Sequence, residues 1–323
     1  MRVIEIRRYG ENDRRLWEAF VENSNNGTLF HTRAFLDYHP PDRFEDHSLV
    51  FTEEGRTTAL FPAAARTVDG KRVLTSHAGA SYGGFVYPES LSVRSAFDLV
   101  TALLDHARRE GFHAIDMTLP PVIYHMRPSH YTDFALYKNG FGYRKREISS
   151  VIPLDFPESG ILEQFKPEAR TAYRKSVKSG VTVRESDDFA AFYPILRKNL
   201  KMRHNVDPTH TLEEILRLKS IFPERIRLVA AYAGGSMAAG VVNFICNRKV
   251  VLAFYISHDE SFQEVRPVNR LFHEIIGWCI RNGYAFLDYG IFTVNEDPNW
   301  GLGKFKESFG ARGIFRDTYR RDL

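Results

Sequence analysis

Shifting the chain against itself by 172 residues lays Leu99, Arg109, Gly111 and Asp116 on Leu271, Arg281, Gly283 and Asp288, with Phe112 meeting Tyr284. A shift of 168 then superimposes Lys138, Phe141, Gly142 and Arg144 on Lys306, Phe309, Gly310 and Arg312. A repeat of this length is a domain written twice, so the 323 residues read as two related domains, 1–154 and 155–323. The phrases "YKNGFG" (137–142) and "FKESFG" (305–310) close the two copies.

Hydrophobic spacing gives the same order of elements in each half. "ENDRRLWEAFVEN" puts Leu16, Trp17, Phe20 and Val21 on one helical face behind an Asn/Asp cap, and "SDDFAAFYPILRKNL" does so with Phe189, Phe192, Leu196 and Leu200. Thr211 and Glu214 have the spacing of a capping box. "HSLVFTEE" with "TTALFPAAAR", and "IRLVAAYAGG" with "MAAGVVNFIC", read as strand pairs. The most informative unit spans 250–292. A buried strand "VVLAFYIS" precedes a helix with Val268, Leu271, Phe272, Ile275, Ile276, Cys279 and Ile280 on one face, Gly283 ends that helix, and "YAFLDYGIF" supplies a second strand. Strand, helix, strand predicts a right-handed crossover between parallel strands, whose C-terminal ends are where such sheets bind ligands. Tyr255, Ser257, Asp288 and Tyr289 fall at those ends.

With 43% hydrophobic and 26% charged residues the composition is that of a folded globular protein. The net charge of +4 permits an anionic partner without requiring one. One cluster is directional: between 166 and 184 there are six Lys or Arg against Glu168 alone. Cys246 and Cys279 lack metal-knuckle or redox-pair spacing, and the N-terminus has no apolar signal segment, so the expected compartment is the cytoplasm. Residues 228–247 carry no charge, but "AGGS" at 233–236 divides them into a hairpin, so no membrane span is expected. His31 and His39, like His204 and His210, have neither helical nor knuckle spacing, and no HExxH occurs, so no metal is expected.

Two helices, a hairpin, a strand, a helix, a strand and a closing helix-strand corner resemble the GNAT acyltransferase fold. Two such units in tandem resemble its Fem-like, peptidoglycan-bridge branch, on the motifs "NGTLFHTRAFLDYH", "ARTAYRKSVKSGV", "RPVNRLFHEIIGWCIRNGYAFLDYG" and "KFKESFG". The resemblance implies an α/β (α+β) chain of two GNAT-like domains, each a mixed, centrally splayed sheet flanked by helices, with the chemistry in the second. It implies transfer of an acyl or aminoacyl group to a primary amine, on a small molecule or a cell-envelope precursor. The donor would be a co-substrate, aminoacyl-tRNA or acyl-CoA, with no tightly bound cofactor. One departure bears on the donor: "HDESFQEVRPVN" has no glycine where acetyl-CoA enzymes carry a glycine-rich pyrophosphate loop. A non-catalytic pair of GNAT folds serving as a binding module is the competing class.

Candidate site residues follow from these two strands of argument. The resemblance sets the motif lysine, Lys306, near the reacting groups, where an ammonium would stabilise an oxyanion or a donor phosphate; Lys138 has the same setting in the other half. Asp288, beside Tyr289, would bind or deprotonate the acceptor, or, like its counterpart Asp116, cap the following turn. Tyr255 is a candidate donor to the leaving group and otherwise a core aromatic. Arg266 and Asn269 at a helix start, Tyr289 and His204 are candidate substrate-binding groups, His204 also as a general base. Arg170, Arg174 and Lys178 lie at i, i+4 and i+8, a stripe able to meet donor phosphates and otherwise a solvated helix face.

Overall fold

The computed structural model describes residues 4–323 except 205, without the side chains of 203 and 204. The chain divides into two compact units, residues 1–147 with 315–323, and residues 148–314.

The first unit contains, in order, β1 (Ile4–Arg8), α1 (Arg14–Glu22), α2 (Arg33–Leu36), β2 (Glu45–Asp46), β3 (Leu49–Glu53), β4 (Arg56–Phe61), β5 (Ala64–Val68), β6 (Lys71–Ser76), α3 (Val93–Arg109), β7 (Ala114–Thr118), α4 (Tyr131–Lys138) and the start of β8 (Gly142–Pro153). The second continues with the rest of β8, α5 (Ile161–Gln164), α6 (Pro167–Lys178), β9 (Thr182–Ser186), α7 (Phe189–His204), α8 (Leu212–Ile221), β10 (Ile226–Ala233), β11 (Ser236–Ile245), β12 (Val250–His258), α9 (Pro267–Arg281), β13 (Phe286–Ile291), β14 (Thr293–Val294), β15 (Asp297–Pro298), α10 (Trp300–Glu307) and the start of β16 (Arg312–Asp322), whose remainder belongs to the first unit.

Both units repeat strand, helix, parallel strand, helix, strand. In the first, β6 and β7 pair in parallel across α3, whose Leu99, Leu103 and Ala107 are buried in a core with Phe51, Phe61 and Leu74. In the second, β12 and β13 pair in parallel across α9, which buries Leu271, Phe272, Ile275, Ile276 and Cys279. Leu287 and Phe309 complete that core. The 3.6-residue apolar spacing in the sequence is thus the face that α9 turns to its sheet. The paired part of each repeat's closing strand belongs to the unit whose sheet it joins. Ser149 to Pro153 of β8 pair with β13, and Thr318 to Asp322 of β16 pair antiparallel with β7. The units therefore divide at 147/148, and the last nine residues belong to the first, where the sequence suggested a simple cut at 154/155.

Local expectations take physical form in the second unit. Thr211 Oγ1 accepts from the Glu214 amide (3.1 Å) while Glu214 Oε2 accepts from the Thr211 amide (2.8 Å), closing the capping box of α8. The uncharged run 228–247 is the β10–β11 hairpin, turned at Gly234 and Gly235 with φ of 57° and 82°. No helix among the described residues is long and apolar enough to cross a membrane.

Two of the first unit's buried histidines, His31 and His77, have their tautomer fixed by a backbone amide. The Thr28 amide donates to His31 Nδ1 (3.0 Å) and the Gly79 amide to His77 Nδ1 (3.1 Å), so each ring keeps its proton on Nε2. Burial pushes both rings down to about 4 from the ordinary 6.5. The folded protein then binds fewer protons than the unfolded chain between these values. Stability contributed by the neutral rings is present above pH 6.5 and is lost as pH falls through 4. Urea midpoints should fall between pH 7 and pH 4.5, and the fall should shrink in His31→Gln.

Candidate active site

Parallel pairing between β12 and β13 covers only Val250/Phe286 to Leu252/Asp288, although β12 runs on to His258. Beyond Leu252 the strands part. The extra residue Phe254, between Tyr255 opposite Val242 and Ala253 opposite Asn243, bulges β12 as it leaves. The end of β12 is pinned by Asn199 Nδ2, which donates to the His258 carbonyl (2.6 Å). In the second unit lies a cleft of about 550 Å³ between the end of β12, the head of α9 and α10. Ile256, Val268, Leu302 and Phe305 give it apolar walls; Arg266, Asn269, His258, Asn299 and Lys306 give it polar groups. Among the described residues no carboxylate lines it.

Lys306 is 3% exposed. Its Nζ donates to the carbonyls of Gly290 (2.8 Å) and Ile291 (2.7 Å). Those carbonyls are available because β13 breaks its ladder with β8 between Asp288 and Ile291, at Gly290 with φ of 69°. Asp288 fixes that break: Oδ1 accepts from the Gly290 amide (2.7 Å) and from Ser149 Oγ (2.5 Å). Burial pushes Lys306 down to about 8, against the opposing pull of the Asp288 carboxylate. An ammonium has three N–H groups, and only two are bound among the described residues, which leaves one uncommitted in a residue that lines the cleft. Lys138, its repeat counterpart, is exposed. Asp116 differs from Asp288 too, being paired with Arg144 and with Arg320 (3.2 Å).

Arg266 caps α9 from the left-handed region, φ 53° and ψ 47°, with Pro267 following as the first helical residue. A non-glycine residue makes the turn that a glycine-rich loop would otherwise make, at a backbone cost of about 1–2 kcal/mol. Asn269 lines the same cleft, its Nδ2 reaching the Ala169 carbonyl of α6 at 3.4 Å. α6 braces the cleft at two points, through Lys166 to Glu307 of α10 and Lys175 to Glu264 in the 3₁₀ turn Glu260–Val265, both at 3.1 Å. Along α6, Arg174 and Lys178 are exposed and Arg170 half-buried. None of the three has an ion pair among the described residues.

Three sequence candidates lie elsewhere. Asp288 is wholly buried in the β13 turn and does not line the cleft. Tyr255 falls on the opposite face of β12, where its hydroxyl is 2.8 Å from His210 Nδ1 and accepts from the His210 amide (3.0 Å). Burial raises its phenol, as it does that of Tyr289. Tyr289 is packed between Phe272 (4.6 Å between centroids) and Phe309 (6.4 Å), part of the core rather than a substrate contact. The His204 side chain lies outside the described residues. Sequence reading missed His258, Gln263 and Asn299. His258 was detectable as the last residue of β12 on the Ile256 face, and Asn299 as the cap of α10, where its Oδ1 accepts from the Leu302 amide (3.0 Å).

Residues 164–307 match the family model described as an acetyltransferase (GNAT) domain. No curated protein matches the chain by sequence. Among solved structures, FemX aligns with a TM-score of 0.75 at 13% identity, over 99% of this chain and 97% of that one. L-PGS from Bacillus licheniformis aligns at 0.61 and 14% identity, over 95% and 91%. A tandem GNAT protein from the clavulanic acid biosynthesis pathway aligns at 0.59 and 12%, over 99% and 98%. At these identities the likeness is one of fold, and the fold is a tandem GNAT fold.

The Lys306 cradle depends on Gly290 adopting positive φ. Gly290→Ala has open space for its Cβ, so its cost is that of the backbone alone. Urea denaturation should show a loss of about 1–2 kcal/mol.

Proposed function

We propose, for a chain that is an acyltransferase of tandem GNAT fold with its acetyltransferase (GNAT) domain at 164–307, that the second unit transfers an acyl or aminoacyl group to a primary amine in the cleft at the head of α9. The observation that carries this reading is a buried ammonium, Lys306, held by two carbonyls in a cleft without a carboxylate. Such a group is suited to the oxyanion that forms when an amine adds to an ester or thioester carbonyl. A cation already fixed in place needs no reorganisation as that charge develops. The acceptor is a small molecule or a cell-envelope precursor, as the Fem-like resemblance implies.

The donor in this reading is an aminoacyl-tRNA. Three features favour it. The β12–α9 connection has no glycine to let backbone approach a pyrophosphate closely, Arg266 occupies that turn instead, and α6 offers Arg170, Arg174 and Lys178 as cations without ion-pair partners among the described residues. The alignment with FemX over nearly the whole of both chains supports the same branch. The second reading, an acyl-CoA donor, draws on the family model's description as an acetyltransferase domain and on the N-terminal end of α9 at the cleft.

Product formation from a mixture of total charged tRNA and candidate amines should disappear after ribonuclease treatment. Acetyl-CoA alone should not restore it. Full activity with acetyl-CoA in the absence of RNA contradicts the tRNA-dependent reading and leaves the acyl-CoA reading in its place.

A further inference from the structure

The oxyanion role uses Lys306 in its charged form, yet its surroundings fit the neutral amine equally well. A neutral lysine amine has two N–H groups and one lone pair. Two carbonyls, Gly290 O and Ile291 O, take the two N–H groups at 2.8 and 2.7 Å. The remaining tetrahedral position, lone pair or third N–H, is uncommitted among the described residues, and Lys306 lines the cleft. Among the described residues no carboxylate accepts a hydrogen bond from Lys306 Nζ, so none holds the extra proton in place.

Resting on the reading that acyl transfer takes place in this cleft, we infer that Lys306 acts first as the general base for the acceptor and only then as the cation beside the oxyanion. The acceptor arrives as an ammonium and passes one proton to the Lys306 lone pair. Its nitrogen then forms the C–N bond to the donor carbonyl, whose π electrons move to oxygen. The new third N–H of Lys306 donates to that oxyanion. On collapse the carbonyl re-forms, the bond to the leaving oxygen or sulfur breaks with its electron pair, and the leaving atom takes a proton from the former amine. Lys306 returns its extra proton to water. The sum is an amide, the protonated leaving group and one released proton.

The charged neighbours agree with this use. Asp288 on β13 favours the ammonium, but its Oδ1 is already engaged by the Gly290 amide and Ser149. Arg266 at the head of α9 and His258 on β12 share the cleft. On α10, Glu307 is tied to Lys166 of α6, and Lys304 is exposed. Burial lowers Lys306 to about 8, so the base form is populated near neutral pH, as an ordinary lysine's is not.

Two measurements on the full-length protein test this. The first needs no donor: trace labelling with acetic anhydride across pH 6.5–10.5, read by mass spectrometry with Nα-acetyl-lysine amide as internal reference. Lys306 labelling should titrate with a midpoint near 8. A midpoint equal to that of the reference, or no labelling of Lys306 anywhere in the range, overturns the inference. The second compares methylamine, an ammonium at pH 7, with hydroxylamine, which is neutral there, as acceptors for Lys306→Arg, using alanyl-tRNA and acetyl-CoA as donors. Arginine keeps the cation and cannot serve as a base. The deficit against wild type should be about 10²-fold or more with methylamine and within about 10-fold with hydroxylamine. Equal deficits with both amines overturn the base role and leave the cleft as the reaction site. Wild-type rates with both amines overturn the reaction site itself, and with it the inference.

Discussion

A buried ammonium needs oxygen atoms around it, and Lys306 finds them only because β13 abandons its ladder at Gly290. An unpaired charge taken out of water costs several kcal/mol, so the lysine and the irregular strand have to be considered together. Asp288 and Ser149 hold the irregularity in place, and Lys306 satisfies the carbonyls it turns outward from the ladder. The cleft depends on the same departure: once β12 and β13 cease to pair after Leu252, the space between β12, α9 and α10 opens at the lysine.

The duplication makes this arrangement informative. Both repeats end in a lysine followed by the Phe-Gly corner, and Phe141 and Phe309 are buried alike. The lysines are not alike, since Lys138 is exposed and Lys306 is not. The aspartates separate in the same way. Asp116 neutralises Arg144 and Arg320, whereas Asp288 organises backbone. A corner inherited by both copies is architecture; what surrounds it in the second copy is the basis for assigning chemistry there.

Much of the fold was legible because its signals are local. The buried face of α9, the Thr211–Glu214 box and the Gly234–Gly235 turn are set by residues within a few positions of one another. The exchanged closing strands were not legible, because nothing in the sequences of β8 and β16 says which sheet edge each will meet. Within the site, Lys306, Arg266 and Asn269 line one cleft as a sequence reading can suggest. The aromatic and acidic candidates could not be sorted that way. β12 is largely buried on both faces, so its composition does not tell Tyr255 from Ile256, and the bulge at Phe254 interrupts simple alternation. Tyr289 and Asp288 sit in a strand whose side chains are claimed by α9 and by the turn itself.

The α9 cap, the carboxylate-free cleft and the Lys306 cradle are consistent with a site that receives an anionic or carbonyl-bearing donor rather than one that captures a cation by a carboxylate. The central claim is that the buried member of the duplicated lysine pair is the one in the reaction. The most direct measurement is kcat/KM for Lys306→Met beside Lys138→Met, with far-UV circular dichroism to verify that both variants fold. The account predicts a loss of about 10²-fold or more for Lys306→Met and an unchanged value for Lys138→Met. Equal values for a folded Lys306→Met and wild type would contradict it.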